Sequence, residues 1–239
     1  MTRQSLCKVE GMSIVQKLFT PACLNCHSLF VGNSLLCANC EALLVTELER
    51  HHRRAAHWPV RTQYYLIPWK QDSEQNSELL QRLVYRLKNN QSPAAWKFYA
   101  QLTIRLLPSR GLEFDRYRLL VPLAGRNDFG HAHHYAYELG RLLNKPVLDL
   151  LKSTGQKQQK LKSRAERKEV RFQLASRQAV HFTKILFIDD LLTTGESYRQ
   201  ARQLFTGPSD NTPADDSGQS ILTLFYRYAK TNDSAIHRP

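Results

Sequence analysis

The stretch from Lys184 to Ser197 constrains the fold more than any other part of this chain of 239 residues. Four apolar residues, Ile185 to Ile188, show no helical period and are typical of a short buried strand in a parallel sheet. Two carboxylates, Asp189 and Asp190, close that strand. Because ligands of open α/β sheets collect at the carboxyl ends of strands, the acid pair is predicted to lie at a binding edge.

The residues after the acid pair predict a phosphate site. Thr193, Thr194 and Gly195 supply hydroxyls and an unobstructed backbone ahead of a helical pattern that starts near Glu196. A phosphorylated sugar suits this order of parts, because its diol donates to carboxylates and its phosphate accepts from a helix N-terminus. The simpler alternative is a solvated strand-to-helix turn in which a hydroxyl only caps the helix.

The whole stretch resembles the PRPP motif of type I phosphoribosyltransferases, in which four apolar residues and two acids precede Thr-Thr-Gly-x-Ser/Thr. The resemblance implies that Asp189 and Asp190 are the catalytic acids, which hold the ribose hydroxyls of 5-phosphoribosyl 1-pyrophosphate (PRPP) directly or through Mg²⁺. One departure from the family is Glu196, where a small neutral residue is usual. The residues that the resemblance assigns to the 5′-phosphate are Thr193, Thr194, Gly195, Glu196 and Ser197.

Two Cys-x-x-Cys pairs near the N-terminus, ten residues apart, predict a metal site. Four thiolates in a tetrahedron are the preferred ligands of structural Zn²⁺, and they leave no coordination position for a catalytic water. We therefore expect a structural role, since a module of this size folds around its metal. Two local disulfides or a redox pair are the alternatives, although one redox motif leaves the second pair unexplained. The predicted ligands are Cys23, Cys26, Cys37 and Cys40.

Chain length and net charge limit the class of protein, its compartment and its partners. The length suits one α/β domain with a small appendage, and the sequence contains neither a run of about 18 apolar residues nor the apolar core of a secretory signal. We expect a cytoplasmic protein without membrane insertion, as the metal-type use of cysteine also indicates. The formal net charge of +13 favours acidic partners such as nucleic acid, although basic surfaces are often only solvated faces.

Short apolar segments alternate with helical patterns along the chain, which predicts a mostly parallel sheet covered by helices on both faces. We divide the chain into a zinc module, residues 1–54, and a second domain, residues 55–239. A lead-in helix is predicted within residues 1–20. Strands are predicted at 63–69, 118–122 and 220–228, and helices at 41–54, 77–89, 93–107 and 198–205.

A closer resemblance covers nearly the whole chain, from Cys23 to about Tyr228. The order of cysteine module, Leu87-Lys88 helix, Val121-Pro122-Leu123 loop and PRPP motif is similar to that of the ComF family of competence-associated phosphoribosyltransferase-like proteins. The family implies a type I phosphoribosyltransferase fold, PRPP with Mg²⁺ as ligand, and a role in DNA uptake during natural transformation. In phosphoribosyltransferases this loop meets the pyrophosphate, and the matching residues are Leu123, Ala124 and Arg126.

The function that follows is pentosyl transfer, in which a nucleophile displaces pyrophosphate from the anomeric carbon of PRPP. The alternative is a non-catalytic module that binds single-stranded DNA on a retained phosphoribosyltransferase scaffold. Basic residues dominate 152–171, which suits closure over a polyphosphate, contact with a nucleic-acid backbone or a solvated face.

A histidine cluster marks a departure from the ComF pattern. The stretch from Phe129 to His134, which contains His131, His133 and His134, stands where that family commonly has Arg-Gly-Phe-Asn-Gln. It keeps the glycine and loses the arginine, asparagine and glutamine. The three histidines suit a polar helix start, phosphate contacts or proton donors. A second metal site is disfavoured, because no acidic residue adjoins them in the sequence.

Overall fold

The computed structural model describes residues 22–28, 35–54, 62–70, 78–89, 93–123, 130–153, 172–175, 183–206 and 218–228. The described helices are α1 (Ala38–Arg54), α2 (Glu78–Asn89), α3 (Pro93–Leu106), α4 (His131–Leu143) and α5 (Glu196–Thr206). The described strands are β1 (Gln63–Lys70), β2 (Leu119–Pro122), β3 (Leu151–Ser153), β4 (Phe172–Leu174), β5 (Ile185–Leu192) and β6 (Ser220–Tyr228). Short 3₁₀ turns at Pro108–Arg110 and Phe114–Arg116 lie between α3 and β2.

A four-stranded parallel sheet forms the centre of the protein, with strand order β1-β6-β5-β2. Residues 185–188 of β5 and 220–225 of β6, the two inner strands, are buried, which is why these parts of the sequence are nearly continuous apolar runs. The separate strands β3 and β4 pair antiparallel. An α/β protein with a parallel sheet flanked by helices is therefore confirmed.

Strand β5 is longer than its sequence predicts. Its apolar half, from Ile185 to Ile188, pairs with all of β2, whose last pair is Pro122 with Ile188. On the other side, β6 continues to pair with β5 as far as Leu192. Because these backbone hydrogen bonds do not depend on side-chain polarity, the strand runs through both acids and ends at Leu192. Among the described residues, β5 beyond Ile188 is thus paired on its β6 side alone.

The outer side of β2 carries a short parallel pairing of its own. The N–H of Leu120 donates to Pro146 O, and the N–H of Leu148 donates to Leu120 O, each at 3.0 Å. Helix α4 ends immediately before this segment, with Asn144 in the left-handed conformation at its C-cap. Gly140 makes the approach feasible, since a Cβ there would collide with the Val147 side chain. Helix α4 is therefore fixed close to β2.

Apolar side chains pack on both faces of the sheet. The larger cluster includes Cys23, Cys40, Leu44, Trp96 and Ile188, so it runs from the cysteine segment through α1 and α3 to β5. The smaller cluster lies on the opposite face, where Phe187 packs between the rings of Tyr198 and Phe205 of α5. The two faces meet different helices, as predicted for a sheet covered on both sides.

Most predicted elements agree with the structure within a few residues at each end. The strand predicted at 220–228 is observed with those bounds, and α1, α2, α3 and α5 match predicted helices. The antiparallel pair of β3 and β4 was not predicted. No described helix is long and apolar enough to cross a bilayer. The lead-in helix predicted in residues 1–20 and nearly all of the basic segment 152–171 fall outside the described residues.

Candidate functional site

The acid pair lies on β5 just beyond the end of β2. Asp190 accepts a hydrogen bond from His131, whose Nδ1 lies 3.1 Å from Asp190 Oδ2. The two side chains are 35% and 26% exposed respectively, so a ligand can reach both. Helix α4 supplies His131 from 59 residues away in the sequence. The acid pair therefore has a partner that its own motif does not contain.

Asp189 has a different environment. Side chains alternate along a strand, so Asp189 faces the side of Phe187 while Asp190 faces α4. The carboxylate of Asp189 accepts a hydrogen bond from the N–H of Asp190 at 2.9 Å. The two acids thus have different surroundings, although their carboxyl groups lie close enough to interact with each other.

The two acids also ionise differently. Burial and the neighbouring charge of Asp190 raise the pKa of Asp189 well above its ordinary value. Burial acts in the same direction on Asp190, but the hydrogen bonds from His131 and Asp189 outweigh it and lower the pKa of Asp190. Asp190 is therefore the first of the pair to lose its proton, and Asp189 keeps its proton to a higher pH.

The histidine cluster forms the first turn of α4 and meets acids from elsewhere in the chain. Besides the His131 contact, His133 Nε2 lies 3.2 Å from Asp149 Oδ1. The ring of His134 stacks on Trp96 at 5.9 Å, and burial with the two neighbouring histidines lowers the pKa of His134. Sequence order could not reveal these acidic partners, because they lie on β5 and after α4.

The turn after β5 lies directly in front of helix α5. Thr193 and Thr194 are exposed, and Gly195 adopts φ = +72°, a conformation that other residues rarely take. Helix α5 begins at Glu196, with the N–H of Arg199 donating to Gly195 O at 2.9 Å. A left-handed glycine therefore reverses the chain directly in front of the helix N-terminus.

Glu196 directs its carboxylate along its own helix. Its Oε2 lies 2.5 Å from Arg199 Nη1, and its Oε1 accepts a hydrogen bond from Gln200 Nε2 at 3.0 Å. The Arg199 guanidinium, three residues later, offsets the negative charge that departs from the phosphoribosyltransferase pattern, and the Gln200 amide satisfies the other oxygen.

Other predicted site residues are not all brought together. Leu123 is buried and donates its N–H to Ile188 O at 2.8 Å, so it closes the β2–β5 pairing. Ala124 and Arg126 lie outside the described residues. Within the described ranges, no hydrogen bond joins the acid pair to the turn at 193–197.

The cysteine cluster is a candidate metal centre. The Sγ atoms of Cys23, Cys26, Cys37 and Cys40 all lie within 4.8 Å of one another. The first and last of these cysteines are buried, and the Asn25 amide donates to Cys40 Sγ at 3.3 Å. The cysteines that sequence spacing predicted as a set therefore converge, and a neighbouring amide orients one of the sulfurs.

The ionisation of these thiols indicates that the cluster suits a cation. Burial raises the pKa of Cys23, but hydrogen bonds from the backbone of Cys26, Cys37 and Asn25 outweigh it and lower that pKa to about 6. At Cys40 the Asn25 hydrogen bond lowers the pKa, yet burial and the other thiols raise it to about 12. Four thiolates cannot be ionised together at this spacing without a positive charge among them, which a metal ion supplies.

Helices of the α/β core hold the cysteine segment in place. Arg82 of α2 donates from Nη1 to the carbonyl oxygens of Asn25, at 2.8 Å, and Leu24, at 3.2 Å. Arg105 of α3 forms an ion pair with Glu41 of α1 at 2.7 Å. Sequence analysis missed both contacts, because an arginine on a helix carries no local signal of its distant partner.

Comparisons with known proteins add no further constraint. A scan against protein-family models and a search of curated proteins both find no match for this chain. The geometry of the two sites, together with the sequence motifs on them, is therefore what supports a function.

Proposed function

We propose that this chain is a ComF-like phosphoribosyltransferase that binds PRPP, or a related phosphorylated ribose, at the β5 edge and takes part in DNA uptake during natural transformation. The observation that carries the proposal is the order of functional groups along β5 and α5. An acid pair lies where the neighbouring parallel strand has ended, and an exposed Thr-Thr-Gly turn precedes a helix N-terminus. In parallel sheets this is where phosphorylated ligands bind.

The division of labour between the acids follows from their environments. Asp190 is ionised first and partly exposed, so it is the acid that accepts hydrogen bonds from the ribose hydroxyls. The hydroxyls of Thr193 and Thr194 and the amides of the turn bind the 5′-phosphate. The transferase step passes through an oxocarbenium-like state, for which positioning and charge neutralisation are the main contributions of a protein.

Magnesium fits this edge only together with its ligand. Mg²⁺ is usually bound by one or two carboxylates plus substrate phosphates, and Asp189 and Asp190 are the carboxylates available here. When bound, the ion would neutralise charge on the pyrophosphate. The cluster of four cysteines fits structural Zn²⁺ instead, because it offers four soft ligands and leaves no open position.

Calorimetric titration with PRPP in the presence of Mg²⁺ tests the proposal. We expect saturable binding that the Asp190→Asn variant weakens by about tenfold or more, since a hydrogen bond to a charged group contributes about 1.5–3 kcal/mol. Ribose 5-phosphate, which lacks pyrophosphate, should bind more weakly. Absence of PRPP binding, or binding that Asp190→Asn leaves unchanged, would remove the proposal.

The net charge favours a second candidate, a non-catalytic module that binds single-stranded DNA on the same scaffold. A formal charge of +13 attracts a phosphate backbone, and such binding weakens linearly in log affinity against log salt. Titration of a labelled oligonucleotide at several salt concentrations tests it. No binding at low salt would exclude this candidate and leave the transferase proposal unaffected.

A further inference from the structure

The contact between His131 and Asp190 joins two parts of the chain that the sequence motif does not connect. An ionised carboxylate accepts hydrogen bonds and cannot donate them, so Nδ1 of the imidazole carries the proton in this contact. The hydrogen bond occupies Oδ2 of Asp190. The side chain of Asp190 is still partly exposed, so the carboxylate remains within reach of a ligand.

The imidazole of His131 contacts an aromatic ring as well as the Asp190 carboxylate. The ring of Trp96 lies 5.5 Å from that of His131, and Trp96 itself is only 1% exposed on α3. Farther along the same helix, Gly140 lets α4 pack closely on Val147, which itself pairs with Leu120 of β2. His131 therefore lies between a buried indole and the carboxylate, in a site that limits its rotation.

We propose that His131 is a positioning residue for the acid pair, which fixes the orientation of the Asp190 carboxylate toward the hydroxyl groups of a sugar ligand. This inference rests on the proposed function for the identity of the ligand. Asp189 needs no such partner, because the N–H of Asp190 already holds its carboxylate. The two acids are thus oriented by different means, one by the backbone and one by a distant side chain.

Substitutions at residue 131 separate the hydrogen bond from simple packing. Asparagine places its amide N–H close to the position of Nδ1, whereas the glutamine amide lies one methylene farther along. With ribose 5-phosphate as the probe at one fixed pH, we expect His131→Asn to bind within about threefold of the wild type. His131→Ala and His131→Gln should weaken binding by about tenfold.

His134→Ala is the matched control. This residue lies on the same helix and stacks on the same indole, but it forms no contact with Asp190. We expect its affinity for ribose 5-phosphate to equal that of the wild type, with thermal unfolding verifying that each variant is folded. If His134→Ala weakens binding as much as His131→Ala, the effect belongs to packing on Trp96 and the inference fails.

A measurement without ligand keeps this inference separate from the proposed function. The carboxyl ¹³C signal of Asp190, assigned by its loss in Asp190→Asn, should move in His131→Ala and stay at the wild-type position in His131→Asn. An unchanged signal in His131→Ala overturns the inference even if the sugar binds. If the wild type binds neither ribose 5-phosphate nor PRPP, the proposed function fails, and the carboxyl signal alone decides whether His131 positions Asp190.

Discussion

The cysteine cluster and the acid-pair edge are assembled in opposite ways. All four cysteines come from residues 23 to 40, and the amide that orients Cys40 belongs to Asn25 of the same segment. At the acid-pair edge, by contrast, Asp190 depends on a histidine 59 residues away. A site built from one segment can form once its metal is bound, whereas a site built across the sheet exists only when the whole core is packed.

Metal removal is the strongest way to test this difference. Cys40→Ser deletes a buried ligand, and we expect it to lower the free energy of unfolding by on the order of 4 kcal/mol and to abolish stoichiometric metal binding. Chelation should have a similar effect. Metal content and thermal unfolding measure both quantities. Cys7→Ser is the control, since Cys7 is the one cysteine outside the two pairs, and full metal retention in Cys40→Ser would contradict the cluster.

Arg82 tests whether the cysteine segment depends on the core despite its local assembly. Arg82→Met leaves the carbonyl oxygens of Leu24 and Asn25 without their donor, so we expect a loss of about 2 kcal/mol and weaker metal binding. The control is Arg105→Met. Its ion pair with Glu41 is half-exposed, so a loss below about 1 kcal/mol is expected. Equal losses in denaturant titrations of the two variants would show that the segment does not rely on Arg82.

Replacing Asp189 or Asp190 with asparagine should change the stability of the fold in opposite directions. The folded-state pKa of Asp189 is raised, so its charge destabilises the fold as pH rises from its unfolded-state pKa through its folded-state pKa. The folded-state pKa of Asp190 is lowered, so its stabilising contribution is present above its unfolded-state pKa and is lost as pH falls through the folded-state value.

We therefore expect Asp189→Asn to stabilise the protein and Asp190→Asn to destabilise it, each by on the order of 1 kcal/mol above the pH range in which the acids titrate. Denaturant unfolding measured from acid to neutral pH checks both signs. Loss of stability in both variants would show that the two carboxylates are equivalent, contrary to their different contacts.

The smallest effect is expected in the turn. Gly195→Ala places a side chain at φ = +72°, which costs about 1 kcal/mol, while the added Cβ meets Gln63 Nε2 only at 3.5 Å. Gly111, at φ = +86°, is the matched control, since it has the same strain away from the edge. Both alanine variants should lose similar stability, but only Gly195→Ala should weaken the binding of ribose 5-phosphate. Equal affinity of the two alanine variants for ribose 5-phosphate would show that the turn does not contact the ligand.

Local features of this protein were predictable from the sequence, and pairings across the fold were not. The apolar run before Asp189, the Thr-Thr-Gly turn ahead of α5 and the cysteine spacing each depend on neighbouring residues, and a pattern of neighbours encodes them. The contacts of His131 with Asp190 and of Arg82 with Asn25 depend on which helices pack against which distant segments of the chain. The extent of β5 beyond Ile188 is a further case, because it is set by the length of β6.

Pro122 has a consequence for the chain that follows α4. On the outer side of β2, only every second residue directs its backbone N–H and C=O outward. Leu120 is such a residue, and it forms backbone hydrogen bonds with Pro146 and Leu148. The next donor on that side would be residue 122, and proline has no N–H to offer. The chain after Leu148 therefore leaves the main sheet. There the carbonyl oxygen of Leu150 accepts a hydrogen bond from the N–H of Ala175 at 2.8 Å. The missing N–H of Pro122 thus limits the pairing along the outer side of β2, and the two-stranded sheet of β3 and β4 forms separately.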